Sequence, residues 1–211
     1  MKHTIFLTGH RKSGTTLLKS LLDGQPEISS YPTDLTLLYA YFPHVKFKKY
    51  PKKMLVEKII KIVMGSLKIV NEYTKYTKKE LKNFRILLKK NLVSKNLLVE
   101  KQVIQTVLKC WKNFFKEKEN HFFLIKETTQ SMNYKILKKI FPKLKIIQII
   151  RDPRDNYSSL KSGFRKYYKK IGYNNEELLL SAIFRIKNDL KFAQLLQKKN
   201  FYLCLKFEDL V

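Results

Sequence analysis

Four short apolar stretches, separated by text with helical spacing, constrain this chain most. They are "HTIFLT" (3–8), "HFFLIK" (121–126), "KIIQII" (145–150) and "FYLCLK" (201–206). Each is rich in β-branched or aromatic residues and bounded like a strand buried on both faces. Helical text follows the first ("TTLLKSLLDG", with Gly24 as its stop) and precedes the third ("MNYKILKKIF") and the last ("EELLLSAIFRIKNDLKFAQLLQKK"). Strands that alternate with helices pair in parallel, because each crossover returns the chain to the same end of the sheet. The expectation is an α/β fold: a parallel β-sheet flanked by helices, with ligand groups at the carboxyl ends of the strands. Residues of about 45–120 read as a lysine-rich helical insertion. Its segments "MLVEKIIKIVMGSLKIV", "KELKNFRILLKKNLV" and "LLVEKQVIQTVLKCWKNFFKEKE" repeat apolar residues every three or four positions. No repeat or linker interrupts the text, so residues 1–211 are expected to form one domain, with 44% hydrophobic content for its core.

Lys and Arg number 44 against 17 Asp and Glu, a formal net charge of +27. Such a field attracts polyanions, from nucleic acids to acidic glycans and nucleotide phosphates. The lysines are scattered through helical patterns, which favours a solvated surface and no specific nucleic-acid partner. A basic nucleic-acid-binding protein stays open as an alternative, because "YKYTK" and "FRKYYKK" interleave aromatic rings with charge. Cys110 and Cys204 lie far apart in apolar segments and read as buried free thiols of a reducing compartment. No Cys/His clustering suggests a metal site. No apolar run is long enough to span a bilayer, and the first ten residues lack a signal-peptide core, so a soluble, cytoplasmic protein is expected.

The first strand runs into "GHRKSGTT", and a helix follows. A glycine loop between a strand and a helix N-terminus converges backbone N–H groups on an anion. A nucleotide triphosphatase places lysine directly after the second glycine, to reach the β/γ-phosphates, and then a hydroxyl for Mg²⁺. Here Thr15 stands in the lysine position, and the lysine is Lys12, two residues before Gly14. The loop is a structural turn, an altered triphosphate loop, or a phosphate loop built for another donor. A P-loop kinase or nucleotide hydrolase is the alternative tied to the second of these.

"IIQIIRDPRDNYSSLKSGF" holds the other cluster. Arg151 leaves the end of a strand, Asp152 and Pro153 suit the N-cap and first turn of a helix, and Ser159 follows two turns later. An arginine fork with a hydroxyl makes a phosphate clamp. The plain alternative is a salt bridge from Arg151 to Asp152 or Asp155.

In this order, "RKSGTTLL", "LLDGQPEISSYPTDL", "IIRDPRDNYSSL" and "KFEDLV" resemble the sulfotransferases that use 3′-phosphoadenosine 5′-phosphosulfate (PAPS). The resemblance covers most of the chain, although the helical middle matches only in character. It implies a P-loop NTPase-like fold in which Arg11, Lys12, Ser13, Gly14, Thr15 and Thr16 bind the donor's 5′-phosphosulfate. Arg151 and Ser159 match the residues that hold its 3′-phosphate. "KFEDLV" is similar to the family's Tyr-Glu-Asp-Leu segment, with Phe207 replacing tyrosine. Members usually continue beyond that segment, so the resemblance implies a chain that is incomplete at its C-terminal end.

The resemblance also accounts for the displaced lysine. Sulfuryl transfer builds negative charge on the bridging oxygen of the leaving product, adenosine 3′,5′-bisphosphate (PAP). Lys12 matches the family's basic residue at that oxygen, where it favours the transition state over the ground state. No metal is implied. Lys126 matches a family lysine near the donor sulfate. Asp34 matches the acidic position that takes the acceptor's proton, usually a glutamate in the bacterial and carbohydrate branches. An N-cap for "LTLLYAYF" is the other reading of Asp34. Glu127 is a rival base, or simply a surface-facing strand-end glutamate, and His10 reads as a neighbour of the phosphates. The acceptor is expected to carry a hydroxyl or amine, and the lysine-rich insertion favours an anionic one such as a glycan, lipid headgroup or acidic peptide.

Overall fold

A computed structural model of the chain describes residues 3–37, 50–70, 76–96, 98–115, 121–163, 169 and 174–211. Five strands, β1 (His3–Gly9), β2 (Ile28–Asp34), β3 (Phe122–Lys126), β4 (Leu144–Ile150) and β5 (Tyr202–Lys206), form one sheet in the order β2-β3-β1-β4-β5. Every pairing is parallel. The first strand therefore lies at the centre, and the chain leaves it first toward one edge and later toward the other. Such a reversal opens a crevice at the carboxyl ends of the central strands.

Alternation along the strands divides the core. Ile5, Leu7, Leu124 and Ile149 pack with Leu18 of α1 (Thr15–Asp23) on one face. Phe6, Phe123, Ile125 and Ile146 face a larger core on the other side. That core is covered by α2 (Lys52–Val70), α3 (Lys78–Val93), α4 (Glu100–Phe114) and α5 (Tyr134–Ile140). Successive strand residues point to opposite faces, so a continuous apolar strand needs helices on both. Trp111 of α4 is the hub of this core, with its ring 5.4 Å from those of both Tyr31 and Phe84. Two further helices, α6 (Pro153–Ser162) and α7 (Asn175–Leu196), pack together through Leu160, Leu178, Ala182 and Ile186. No helix among the described residues is long and apolar enough to cross a membrane.

The four expected strands are present, as are the expected helices that fall on described residues, and Gly24 does cap α1. One strand was not expected: β2, "ISSYPTD". Its text is polar and contains Pro32, which lacks a ladder N–H. The strand tolerates it because β2 is an edge strand, and its register with β3 shifts between Ser30 and Asp34. Ser29, Ser30, Tyr31 and Thr33 are nevertheless buried, since α1 and α2 both pack on this edge. Asp34 thus ends a strand, and the helix expected over "LTLLYAYF" falls largely outside the described residues.

Candidate functional site

The glycine loop leaves β1 at the centre of the carboxyl edge and enters α1 at Gly14. Lys12 and Gly14 have φ of +66° and +98°, the left-handed region that suits glycine. A Cβ on Gly9 would lie 2.5 Å from the carbonyl oxygen of Ile149, and one on Gly14 would lie 2.4 Å from Cδ2 of Phe207. The loop is therefore pressed against the ends of β4 and β5, which only glycine allows. Gly14 caps α1 without a side-chain hydrogen bond, so the first-turn N–H groups remain available to an anion. Arg11 and Lys12 follow His10 around the bend. Lys12 and Thr16 are exposed, whereas Ser13 and Thr15 are buried beneath.

Strand β4 ends in the arginine that braces this loop. Arg151 Nη1 donates to the carbonyl of Lys12 at 3.1 Å, and its guanidinium lies 4.3 Å from the Phe207 ring centroid. Asn156 Nδ2 donates to the carbonyl of Arg11 at 2.7 Å from the first turns of α6. Ser159 stands one turn further along that helix and is half-buried. The salt-bridge alternative for Arg151 is not what the structure contains. Asp152 instead caps α6 by accepting from the Arg154 N–H at 2.8 Å, and its carboxylate pairs with the Arg154 guanidinium. Hydrogen bonds from that guanidinium, then from the backbone, hold Asp152 down at a pKa of about 2. Glu208 accepts from the Asp152 N–H at 3.0 Å. Both Phe207 and Glu208 of "KFEDLV" are thereby tied to the β4–α6 corner.

On the other flank, β2 and β3 end side by side, with Asp34 in register with Lys126. Lys126 Nζ lies 2.6 Å from Asp34 Oδ1 and donates to Thr16 Oγ1 at 3.2 Å. Lys126 is nearly buried, while the Asp34 side chain is 31% exposed. The next residue turns inward. Glu127 is fully buried, contrary to the surface-facing expectation, and accepts from the Thr36 N–H through Oε2. Burial first, and the neighbouring Asp34 charge second, raise its pKa well above the ordinary carboxylate range. Tyr31 is raised as well, by burial and then by Glu127.

His10 is buried, with Nδ1 3.5 Å from Asp189 Oδ2 of α7. Asp189 joins a buried polar set: its backbone carbonyl accepts from Gln148, and Gln148 Oε1 accepts from Ser131 and Tyr202. Burial raises the Asp189 pKa. The structure thus brings residues 11–16 together with Arg151 on one side and with Lys126 and Asp34 on the other. Asn156 and the His10–Asp189 pair were not singled out from the sequence. Asn156 stands four residues before the apolar Leu160, on the same buried helix face, and that spacing was the available signal for the first.

These features describe a glycine loop between a strand and a helix N-terminus, with strand-end cations on both flanks. The sulfotransferase family model matches residues 4–211, and the chain belongs to that family. Its fold is similar to the crystal structure of a sulfotransferase from Alicyclobacillus acidocaldarius, at TM-score 0.54 and 12% identity over 99% of this chain and 74% of that one. Sulfotransferase STF9 from Mycobacterium avium aligns at TM-score 0.54 and 14% identity, covering 99% of this chain and 60% of that one. The sulfotransferase domain from the curacin biosynthetic pathway aligns at TM-score 0.58 and 21% identity, covering 100% and 69%. No curated protein sequence matches the chain significantly.

Proposed function

We propose that this chain transfers a sulfuryl group from PAPS to a hydroxyl or amine of an acceptor. The observation that carries the proposal is the pairing of Lys126 with both Asp34 and Thr16, which joins a base and a cation to the mouth of the glycine loop. The residues present fit the donor's anionic groups. Gly9 and Gly14 let the loop seat directly on Ile149 and Phe207, at the ends of β4 and β5. Ser13 Oγ and Arg151 Nε are buried polar atoms without a hydrogen-bond partner among the described residues. Such atoms normally find one.

PAPS supplies an activated sulfuryl group whose transfer leaves negative charge on PAP. The roles of this chain's residues follow from where they stand. Residues 11–16 and the N-terminus of α1 cradle the 5′-side phosphate, and Lys12 offers a cation to the charge that develops there. Lys126 offers a second, oriented by Asp34 and Thr16. Arg151, with Ser159 along α6, receives the 3′-phosphate. Asp34 takes the acceptor's proton: Lys126 engages Oδ1, which leaves Oδ2 for that proton. Glu127 is fully buried and is assigned no such role. The lysine-rich helices favour an anionic acceptor, and the free thiols of Cys110 and Cys204 fit a reducing compartment such as the cytoplasm.

A thermal-shift titration with PAP, set against ATP with Mg²⁺, tests the donor. A ligand at about 100 times its Kd stabilises the native state by roughly 2.7 kcal/mol. PAP should raise the melting temperature, and Lys12→Ala or Arg151→Ala should shrink that rise. A shift with Mg-ATP and none with PAP would replace the proposal with a P-loop kinase or hydrolase.

A further inference from the structure

Lys126 and Glu127 are neighbours at the end of one strand, yet they point to different surroundings. Lys126 reaches the partly exposed Asp34 and Thr16. Glu127 goes inward, has no exposed surface, and grips the backbone two residues beyond Asp34. The gripped residue is unusual. Thr36 is β-branched but has φ of +51°, and the Leu37 N–H donates to the Leu35 carbonyl across it, closing a γ-turn. Such a conformation persists only where the surroundings over-determine it. Three bonds do so here: Glu127 to the Thr36 N–H, Thr36 Oγ1 to Ser66 Oγ of α2 at 2.7 Å, and the Leu35 N–H to the Lys126 carbonyl at 3.2 Å.

We propose that Glu127, in its uncharged form, is a positioning residue that holds the Asp34–Leu37 corner and so fixes the carboxylate of Asp34 against Lys126. This deepens the proposed function and rests on its assignment of Asp34. The groups that face Glu127 are Asp34 on β2, Tyr31 on the same strand, Lys126 at the end of β3, and the N–H groups of Thr36 and Thr128. Asp34 opposes a second negative charge, and burial opposes any charge. The Thr36 N–H, then Lys126 and the Thr128 N–H, favour ionisation, but Lys126 Nζ is already committed to Asp34 at 2.6 Å. Burial first, and the neighbouring Asp34 second, outweigh these, so Glu127 carries the proton. Uncharged Glu127 keeps one oxygen to accept from Thr36 and has an O–H to donate.

The sign of the pH effect follows. The folded-state pKa of Glu127 lies above its unfolded value, so the folded protein holds a proton that the unfolded chain releases. Stability from this group is complete below the unfolded value, near 4.5, and falls as pH rises toward the folded value. Glu127→Gln keeps the shape and the acceptor oxygen but cannot ionise. The test measures melting temperature from pH 5 to pH 8 for wild type, Glu127→Gln and Glu127→Ala, with sulfuryl transfer measured alongside. The advantage of Glu127→Gln over wild type should grow with pH. Glu127→Ala should lose turnover about tenfold or more, mainly in kcat, while Glu127→Gln restores it. A constant melting difference between wild type and Glu127→Gln at every pH would overturn the uncharged state. Loss of turnover in Glu127→Gln equal to that in Glu127→Ala would overturn the positioning role and make Glu127 the base. The melting data need no turnover, so they decide the charge of Glu127 even if the assigned reaction is wrong.

Discussion

At the scale of single residues, the loop is shaped by what the neighbouring strand ends leave room for. Gly14 sits in the left-handed region with the Phe207 ring where a Cβ would be. Two penalties therefore meet in Gly14→Ala: the backbone strain of an L-residue at that φ, and displacement of a ring that also stacks under Arg151. The first exceeds about 1 kcal/mol. We expect Gly14→Ala to lower stability by about 1–3 kcal/mol in denaturant titration and to weaken PAP binding at least tenfold by calorimetry. Adding Phe207→Ala to Gly14→Ala should recover part of the stability loss, because the clash goes and the strain stays. Additive losses in the double variant would show that the ring and the loop are independent. Phe207 itself was legible as a departure from the family's tyrosine, but its contact with Gly14 was not. The two residues are distant in sequence, and only the closeness of β5 to β4 joins them.

At the scale of elements, legibility followed the strength of the apolar pattern. The strands β1, β3, β4 and β5 are continuous apolar runs, and burial on both faces demands such runs. Edge strand β2 is buried by helices that its own text does not mention, so serines and a proline suffice there. Glu127 was misread for a related reason. A charged side chain at a strand end ordinarily faces water, and only the covering β2–α2 corner buries this one. The His10–Asp189 pair joins β1's loop to α7 and has no local signature at all. The start of α6 was legible in Asp152 and Pro153, whereas the cap of α3 was not singled out from the sequence. The α3 text "TKKE" is a complete capping box: the Thr77 hydroxyl accepts from the Glu80 N–H, and the Glu80 carboxylate accepts from the Thr77 N–H at 2.7 Å. Helix α3 buries Phe84 and Leu88 in the same core as Trp111, so its first turn bears on the whole insertion. Thr77→Ala should cost about 1 kcal/mol, read from the denaturation midpoint. An unchanged midpoint would mean that α3 is held by packing alone.

At the scale of the whole molecule, one core runs from the central strand through Tyr31 and Trp111 into the described insertion helices. This gives the net charge of +27 a specific consequence. Charge spread over solvated helices acts at long range, and ionic strength weakens it: the Debye length falls from about 10 Å at 0.1 M to about 3 Å at 1 M. Charge inside the site is screened far less, because Lys126 is nearly buried against Asp34. The two contributions should therefore separate in kinetics. Raising salt from about 0.05 M to about 0.5 M should increase KM for an anionic acceptor several-fold, as the attracting field weakens. The same change should leave KM for a neutral alcohol of similar size nearly constant, and kcat should move little for either. Equal salt dependence for charged and neutral acceptors would remove the insertion from acceptor selection. A salt-sensitive kcat would place the screened charge inside the catalytic step instead.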